Sequence, residues 1–148
     1  MFLIDTNVLS EYRKGKRANA GVMQFFAATE SNALFLPTQV IGEIQAGITK
    51  LRRVASEQAI QQAEKYELWL DSVIAEFGDH ILKFDVEAAR VWGSLLSCDI
   101  KDPHTIDKQI AAIALIHDLV VVTRDKGDAF SRTPNLKVLN PFTLISHA

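Results

Sequence analysis

The sequence predicts an α/β fold in which a mainly parallel sheet is covered by helices on both faces. Short apolar runs alternate with longer segments whose apolar residues fall at helical spacing. Two of the runs, Phe2–Ile4 and residues 119–123, are apolar without alternation, as in strands that are buried on both faces. No internal repeat, low-complexity tract or linker interrupts this pattern, so we expect residues 1–148 to form a single domain.

The first part of the chain is predicted to contain two strands and two helices. Phe2–Ile4 is short, apolar and followed by polar residues, which indicates the first strand. A helix is predicted directly after it, over Thr6–Tyr12. Asn19 can cap a second helix, and residues 33–36 indicate the second strand.

The middle of the chain is predicted to contain two long helices and the third strand. Pro37 and Thr38 favour the start of a helix whose apolar residues recur at helical spacing. Ser56 begins a second and longer helix, which ends at Gly78. Residues 81–84 indicate the third strand.

The last part of the chain is predicted to contain two helices, two strands and a short terminal helix. Asp85 can cap the first helix, and residues 106–117 form the second. Residues 119–123 are the clearest buried strand in the chain, and residues 137–139 indicate the last one. Pro141 precedes the short terminal helix.

Composition limits the kinds of protein that this chain can be. Hydrophobic residues make up 48% of 148, enough for a proper core, and the net charge of −2 argues against a broad surface for polyanions. Cys98 is the only cysteine, so no internal disulfide can form and a reducing cytoplasm is expected. The N-terminus lacks a signal-peptide pattern, and no uncharged run approaches the ~18 residues of a membrane span.

Four acidic residues lie where this fold would bring them together. Asp5 directly follows the first strand, and Asp125 lies just past the strand at residues 119–123. Both therefore fall at the carboxyl edge of the sheet, where open α/β sheets bind ligands. Glu43 lies beside the apolar stripe of its helix, and Asp107 is followed by alanines that let its helix lie close to the sheet.

Two glycines, Gly42 and Gly47, flank Glu43 in the same helix. Each costs roughly 1 kcal/mol relative to alanine in a helix interior. Close approach of the backbone to another group would explain that cost.

Each acid also has an ordinary structural explanation. Asp5 can cap a helix, Asp125 can be a turn residue, Glu43 can be a surface residue, and Asp107 can be a first-turn acid favoured by the helix dipole. Two carboxylates ~4 Å apart at an effective dielectric near 20 repel by roughly 4 kcal/mol, so a site that gathers four needs protons or a cation. Oxygen donors without histidine or cysteine select hard ions, Mg²⁺ or Mn²⁺.

The four acids lie in segments that carry a resemblance to a known family: IDTNVLSE, TQVIGEIQAGI, DKQIAAIA and VVVTRD. In this order and at these separations they resemble a PIN-domain ribonuclease of the VapC-like toxin family, over essentially the whole chain. The resemblance implies a three-layer α/β/α sandwich and metal-dependent endoribonuclease activity with Mg²⁺ or Mn²⁺. It also implies an RNA substrate, a cognate antitoxin protein and a homodimer.

The resemblance implies that Asp5, Glu43 and Asp107 belong to a catalytic quartet, with Asp5 and Asp107 as metal ligands. Many relatives end the last segment with TRN-x-x-DF, whereas this chain has TRDKGDAF. Asp125 stands at the asparagine position, and Ala129 separates the later aspartate from phenylalanine. Asp125 is therefore the first choice for the fourth acid and third metal ligand, and Asp128 is the alternative.

Four further residues are candidates for substrate binding. Thr6 matches a hydroxyl position beside the first aspartate, although it can equally serve the start of its helix. Arg13 and Lys14 belong to a basic run that can grip an RNA backbone or form a solvated loop. Arg124, next to the fourth acid, can contact phosphate.

Two other function classes compete with a nuclease. A phosphatase with an aspartyl nucleophile after the first strand usually needs a second aspartate two residues on, where this chain has Asn7. A catalytically inactive domain that only binds a protein partner would not need all four acids.

Overall fold

The computed structural model describes residues 1–96 and 102–144, so Cys98 lies outside the described residues. The strands of the described residues are β1 (Phe2–Ile4), β2 (Leu34–Pro37), β3 (Ile81–Leu82), β4 (Val120–Val122) and β5 (Val138–Leu139). The α-helices of the same residues are α1 (Thr6–Tyr12), α2 (Ala20–Ala28), α3 (Thr38–Val54), α4 (Glu57–Phe77), α5 (Val86–Leu95) and α6 (Thr105–His117). Short 3-10 helices lie at Gly15–Arg17, Ser31–Ala33, Gly78–His80 and Pro141–Thr143.

The strands form one parallel sheet in the order β3-β2-β1-β4-β5. The chain adds β2 and β3 on one side of β1, then returns to add β4 and β5 on the other side. β1 and β4 are therefore neighbours, with Ile4 paired to Val122. A crevice opens beyond the carboxyl ends of two strands at such a reversal of strand order.

Two hydrophobic cores cover the two faces of the sheet. Successive strand residues point to opposite faces, so Ile4 and Val122 pack with α1 to α4, whereas Leu3 and Val121 pack with α5 and α6. The sheet thus lies between two helical layers, which confirms the predicted α/β/α sandwich.

Three helices begin with a side-chain cap at the residue where the sequence predicted their start. Asn19, Ser56 and Asp85 each accept backbone N–H hydrogen bonds at the starts of α2, α4 and α5. The strand bounds differ from the prediction by one or two residues. β3 stops at Leu82 rather than at residue 84, because its partner β2 ends at Pro37, where α3 begins.

Helices α3 and α4 pack against each other as a pair on one face of the sheet, through Ile44 and Ile48 of α3 and Ala63 and Leu70 of α4. Ala55, between them, adopts a left-handed conformation with φ of 58°. In the part of the chain that the structure describes, no helix combines the length and apolar character needed to cross a membrane.

Candidate active site

The candidate site lies at the carboxyl ends of β1 and β4. Asp5 follows β1 directly, and its backbone N–H donates to the Val122 carbonyl oxygen at 3.0 Å, which extends the pairing of the two strands. Thr123 follows β4 and is completely buried. The reversal of strand order therefore places the end of β4 beside an aspartate from the start of the chain.

Asp5 is the most buried acid of the site, with 6% of its surface exposed. Its Oδ1 accepts from the Thr6 backbone N–H at 2.8 Å, so it caps α1 as well. Its Oδ2 accepts from the Thr123 hydroxyl at 2.8 Å and from the Asn7 amide at 3.4 Å. Burial raises the pKa of Asp5; the hydrogen bonds from Thr123 and Thr6 oppose that shift, and the charge of Asp125 adds to it.

Glu43 reaches the site from α3 and lies at its open rim. Its Oε1 accepts from the Thr6 hydroxyl at 3.1 Å, so Thr6 joins the first strand end to α3. Partial burial raises the pKa of Glu43, the hydrogen bond from Thr6 lowers it, and the charges of Asp5 and Asp107 raise it further. These charge effects indicate that the three carboxylates share one electrostatic environment.

Asp107 enters from the other helical layer, in the first turn of α6. Ala111 and Ala114, which follow it on this helix, are buried, as the sequence predicted. Burial is the largest cause that raises the pKa of Asp107; the charge of Asp5 adds to it, and His104, whose Nδ1 lies 3.8 Å from Oδ2, opposes it. Acids from both helical layers thus meet across the sheet edge.

Asp125 lines the site, but its carboxylate is also held by its own loop. Oδ1 accepts from the Phe130 backbone N–H at 2.9 Å. Oδ2 accepts from the Ser131 N–H at 2.9 Å and from the Ser131 hydroxyl at 2.5 Å. The residue has a φ of 50°, a left-handed conformation that aspartate tolerates. Asp125 therefore has the turn role that is its ordinary explanation, and it also lines the site.

Asp128, the alternative fourth acid, lies elsewhere on the same loop. It is exposed, has a φ of 60°, and is absent from the described residues that line the acidic cavity. Of the two candidates, Asp125 alone lines the acidic cavity.

The acids surround a cavity of about 270 Å³, the acidic cavity. Its lining residues are Asp5, Thr6, Asn7, Glu43, Asp107, Thr123, Asp125, Lys126 and Phe130. Sequence reasoning did not single out Thr123 or Lys126 and considered Asn7 only as a missing second aspartate. The available signal for Thr123 was its position, because it is the polar residue that ends an apolar strand close to a site acid.

The donor chemistry of the acidic cavity fits a hard cation. Asp5, Glu43 and Asp107 offer oxygen ligands, and the charges of the other acids raise the pKa of each, a repulsion that a divalent ion would relieve. Among residues 1–96 and 102–144, no group of three or more histidine, cysteine, aspartate or glutamate side chains forms a ready-made metal cage. The fit therefore rests on ligand type and mutual charge.

The predicted basic contacts lie around the acidic cavity and not in its wall. Lys14 forms an ion pair with Glu11 at 2.6 Å. Arg124 is exposed, and its guanidinium carbon lies 4.1 Å from the centre of the Phe142 ring. Arg13 lines a neighbouring cavity.

Comparison with known proteins gives consistent matches along the chain. The family model described as PIN domain matches residues 2–136. The plasmid stability protein StbB of Pseudomonas syringae pv. tomato is 30% identical over 146 residues, covering 96% of this chain and 99% of that protein. Toxin FitB of Neisseria gonorrhoeae is 28% identical over 145 residues, with 96% and 99% covered.

A third relative and a solved structure extend these matches. The VapC ribonuclease Y4jK of Sinorhizobium fredii is 26% identical over 145 residues, covering 96% of this chain and 98% of that protein. A chain in the structure of FitAB bound to an IR36 DNA fragment superposes with a TM-score of 0.77 at 28% identity, and all of both chains is covered.

Proposed function

This chain belongs to the PIN-domain family, as its four motifs predicted, and from that premise we propose that it is an endoribonuclease that requires Mg²⁺ or Mn²⁺. The observation that carries the proposal is the convergence of Asp5, Glu43 and Asp107 on one cavity, from the end of β1, from α3 and from α6. A relative named as a VapC ribonuclease supports the reaction class.

In this proposal Asp5, Glu43 and Asp107 hold the ion, with Asp125 completing the site. A bound divalent ion supplies an activated water and stabilises the leaving oxygen of a phosphodiester. Thr123 and Asn7 hold Asp5 in one orientation through hydrogen bonds to its Oδ2. The hydrogen bonds that Asp5 and Glu43 accept fix these carboxylates before substrate arrives, which keeps the cost of reorganisation low.

Thr6 would position the acids, and three basic residues would help to place the RNA. Thr6 donates to Glu43 and lies between that carboxylate and Asp5, where it can keep the two acids apart. Lys126 lines the acidic cavity and can bring a positive charge to the scissile phosphate. Arg124 and Lys14 would act further out, on the flanking backbone.

We expect water, and not a ribose hydroxyl, to attack phosphorus. No histidine is among the described residues that line the acidic cavity, so the wall offers no imidazole to deprotonate the ribose 2′-hydroxyl. Attack by water with departure of the 3′-oxygen leaves a 5′-phosphate and a 3′-hydroxyl.

The wider biological role is part of the same proposal. A relative named Toxin FitB, and the solved FitAB structure, support a toxin that a cognate antitoxin protein blocks. A homodimer, a single domain over residues 1–148 and action in the cytoplasm stay predictions from the sequence.

The competing phosphatase has less support. Asp5 is buried and both of its oxygens accept hydrogen bonds, which makes it a poor nucleophile. Position 7 carries an amide that donates to Asp5 rather than a second acid. An inactive binding domain would not explain why several acids meet at the end of β1.

One experiment tests the proposed reaction. Purified protein is incubated with single-stranded RNA in Mn²⁺, in Mg²⁺ or in EDTA, and the new RNA ends are mapped. We expect metal-dependent cuts with 5′-phosphate ends. Cleavage that persists in EDTA, or ends that carry 2′,3′-cyclic phosphate, would overturn the proposal.

A further inference from the structure

A second cavity of about 200 Å³ adjoins the acidic cavity, and we call it the side cavity. Thr6 and Glu43 line both cavities, so one wall separates them. The rest of the side cavity is formed by α1, α3 and α4, including Arg13, Gly47 and Tyr66. Apart from the shared Thr6 and Glu43, the residues that line the side cavity have no part in the proposed metal site.

Arg13 is fixed in the side cavity by aromatic rings. Its guanidinium carbon lies 4.1 Å from the centre of the Tyr66 ring and 5.1 Å from that of Trp69. Among the described residues, no carboxylate lies within ion-pair distance of Arg13. The positive charge is therefore held in place by cation–π contacts and is not neutralised by an acid.

The opposite wall of the side cavity is apolar and opens at a glycine. Ile44, Ile48 and Leu51 supply the apolar surface on α3. A Cβ placed on Gly47 would meet nothing within 4 Å. A Cβ placed on Gly42 also meets nothing within 4 Å, so the protein itself supplies no close neighbour that would explain these two glycines. At Gly47 the missing side chain leaves room in the cavity wall.

We propose that the side cavity binds one base of the RNA, next to the phosphate that is cut in the acidic cavity. This inference rests on the proposed function. Unstacked RNA bases are typically bound against an aromatic ring or an arginine plane, and Arg13 on Tyr66 offers both. The shared wall of Thr6 and Glu43 makes the side cavity a direct neighbour of the acidic cavity.

The same arrangement resolves an electrostatic difficulty. Three acids at one strand edge repel an RNA backbone, and the net charge of the chain is −2. A fixed arginine beside the acids supplies a positive charge where the strand must enter, while the apolar wall at Ile44 and Ile48 receives the uncharged base. The side cavity thereby favours single-stranded RNA, since a paired base must first be unpaired and unstacked before it can enter.

The test uses two matched glycine variants of the full-length protein. Gly47→Leu places a side chain in the wall of the side cavity. Gly42→Leu is the control, because Gly42 lies on the same helix, has equally open space, and lines neither cavity. Both changes favour the helix, so thermal unfolding should show that neither variant is less stable than the wild type.

The substrate set is a short single-stranded RNA that the wild type cleaves, with each nucleotide around the cut replaced in turn by an abasic one. For the wild type and Gly42→Leu, loss of one particular base should lower kcat/KM by about 5- to 150-fold, the value of one base stack. Gly47→Leu should cleave the intact RNA as slowly as the wild type cleaves that abasic RNA. The variant should cleave the intact and the abasic RNA at the same rate. If Gly47→Leu still preferred the intact RNA over the abasic RNA as strongly as the wild type does, the inference would be overturned. A segment of a protein partner would then be the remaining candidate to fill the side cavity.

A binding measurement separates this inference from the proposed reaction. Tetranucleotides of uridine, cytidine, adenosine and guanosine are titrated without metal, and the NMR signals of the Tyr66 ring are followed. We expect shifts in the wild type and in Gly42→Leu, and none in Gly47→Leu, even if no bond is cut. Absence of any tyrosine shift in the wild type would overturn base binding, whatever the outcome of the cleavage assay.

Discussion

The Thr123 hydroxyl donates a 2.8 Å hydrogen bond to Oδ2 of Asp5, and this bond joins the ends of two neighbouring strands. Thr123 is fully buried and also accepts from the backbone N–H of Asp125 at 3.0 Å. One hydroxyl therefore connects the most buried acid of the site to the loop that carries another. Loss of this hydroxyl should disturb both the orientation of Asp5 and the loop that carries Asp125.

We expect Thr123→Val to lower the rate of RNA cleavage by at least about tenfold, since a hydrogen bond to a charged group is worth about 1.5 to 3 kcal/mol. The Thr123 bond opposes the rise in the pKa of Asp5, so its removal should raise that pKa further. The acid limb of the pH–rate profile would then move to higher pH. Thr123→Ser keeps the hydroxyl and should restore most of the activity.

Thr133→Val provides the control for Thr123→Val. Thr133 is also buried, and its hydroxyl donates to the Ala129 carbonyl oxygen at 3.0 Å, away from Asp5. It should lose stability and keep the wild-type pH–rate profile. A similar shift of the profile in both variants would show that Thr123 acts only through the fold.

A second prediction concerns Asp5 itself. Asp5→Asn should reduce RNA cleavage by at least about a hundredfold, because metal-assisted stabilisation of a phosphodiester transition state is worth several kcal/mol. Asparagine is a good N-cap, so α1 should still form, and removal of a buried charge should offset the lost hydrogen bond from Thr123, so the melting temperature should stay near that of the wild type. Calorimetry should show weaker Mn²⁺ binding.

The control for Asp5→Asn is Asp118→Asn. Asp118 is a highly exposed aspartate that follows α6, at the opposite edge of the sheet. That variant should cleave RNA and bind Mn²⁺ as the wild type does. If Asp5→Asn cleaves RNA at the wild-type rate, the assignment of the site is wrong.

Some features of the site could be predicted from sequence and others could not, for physical reasons. The positions of Asp5 and Asp125 follow from strand ends, because parallel strands share one carboxyl edge. The inward position of Asp107 follows from Ala111, since only a small residue lets a helix lie this close to a sheet. The position of Glu43 was harder to predict, because a residue at the edge of a helix can face either solvent or a site.

The hydrogen-bond partners were beyond the reach of sequence patterns. Thr123 and Asp5 are 118 residues apart, so nothing local connects them, and the bond exists only because β1 and β4 become neighbours. The side cavity depends in the same way on the packing of α4 against α3. Arg13 was predicted to contact RNA as part of a basic loop, and its stacking on Tyr66 could not be inferred from its neighbours in the chain.

A third prediction separates the two candidates for the fourth acid. Asp125→Asn replaces one carboxylate oxygen by an NH₂ group, which cannot accept from Phe130 N–H or from Ser131 N–H at the lost position. It should destabilise the protein by about 1 to 2 kcal/mol and reduce cleavage. Urea unfolding and RNA cleavage measure the two effects.

Asp128→Asn is the matched comparison, because both aspartates have positive φ and asparagine tolerates that conformation. Asp128 is exposed and lines no part of the acidic cavity, so this variant should keep stability and activity. The opposite pattern, with activity lost in Asp128→Asn and kept in Asp125→Asn, would make Asp128 the fourth acid.

The last prediction concerns pH. Burial and the neighbouring charges raise the pKa values of Asp5, Glu43 and Asp107 in the folded protein. The folded state therefore keeps protons that the unfolded state releases near pH 4, where free carboxyl groups titrate. The stabilising contribution of these groups is complete below about pH 4 and is lost as the pH rises through their folded values. Metal-free protein should lose this contribution on going to neutral pH.

Measuring the difference between two proteins isolates this effect from other titrating groups. The lowered pKa of Glu11 acts in the opposite direction, but it is common to the wild type and to Asp107→Asn, so it cancels. Relative to metal-free wild type, Asp107→Asn should gain stability as the pH rises from about 4 to 7, because it lacks a partly buried carboxylate that the charges of Asp5 and Asp125 also repel. Saturating Mn²⁺ should remove the advantage of the variant at neutral pH, because the ion binds deprotonated carboxylates. If the stability of the two metal-free proteins changed with pH in parallel, the acids would not interact. The main argument for a cation in the acidic cavity would then fail.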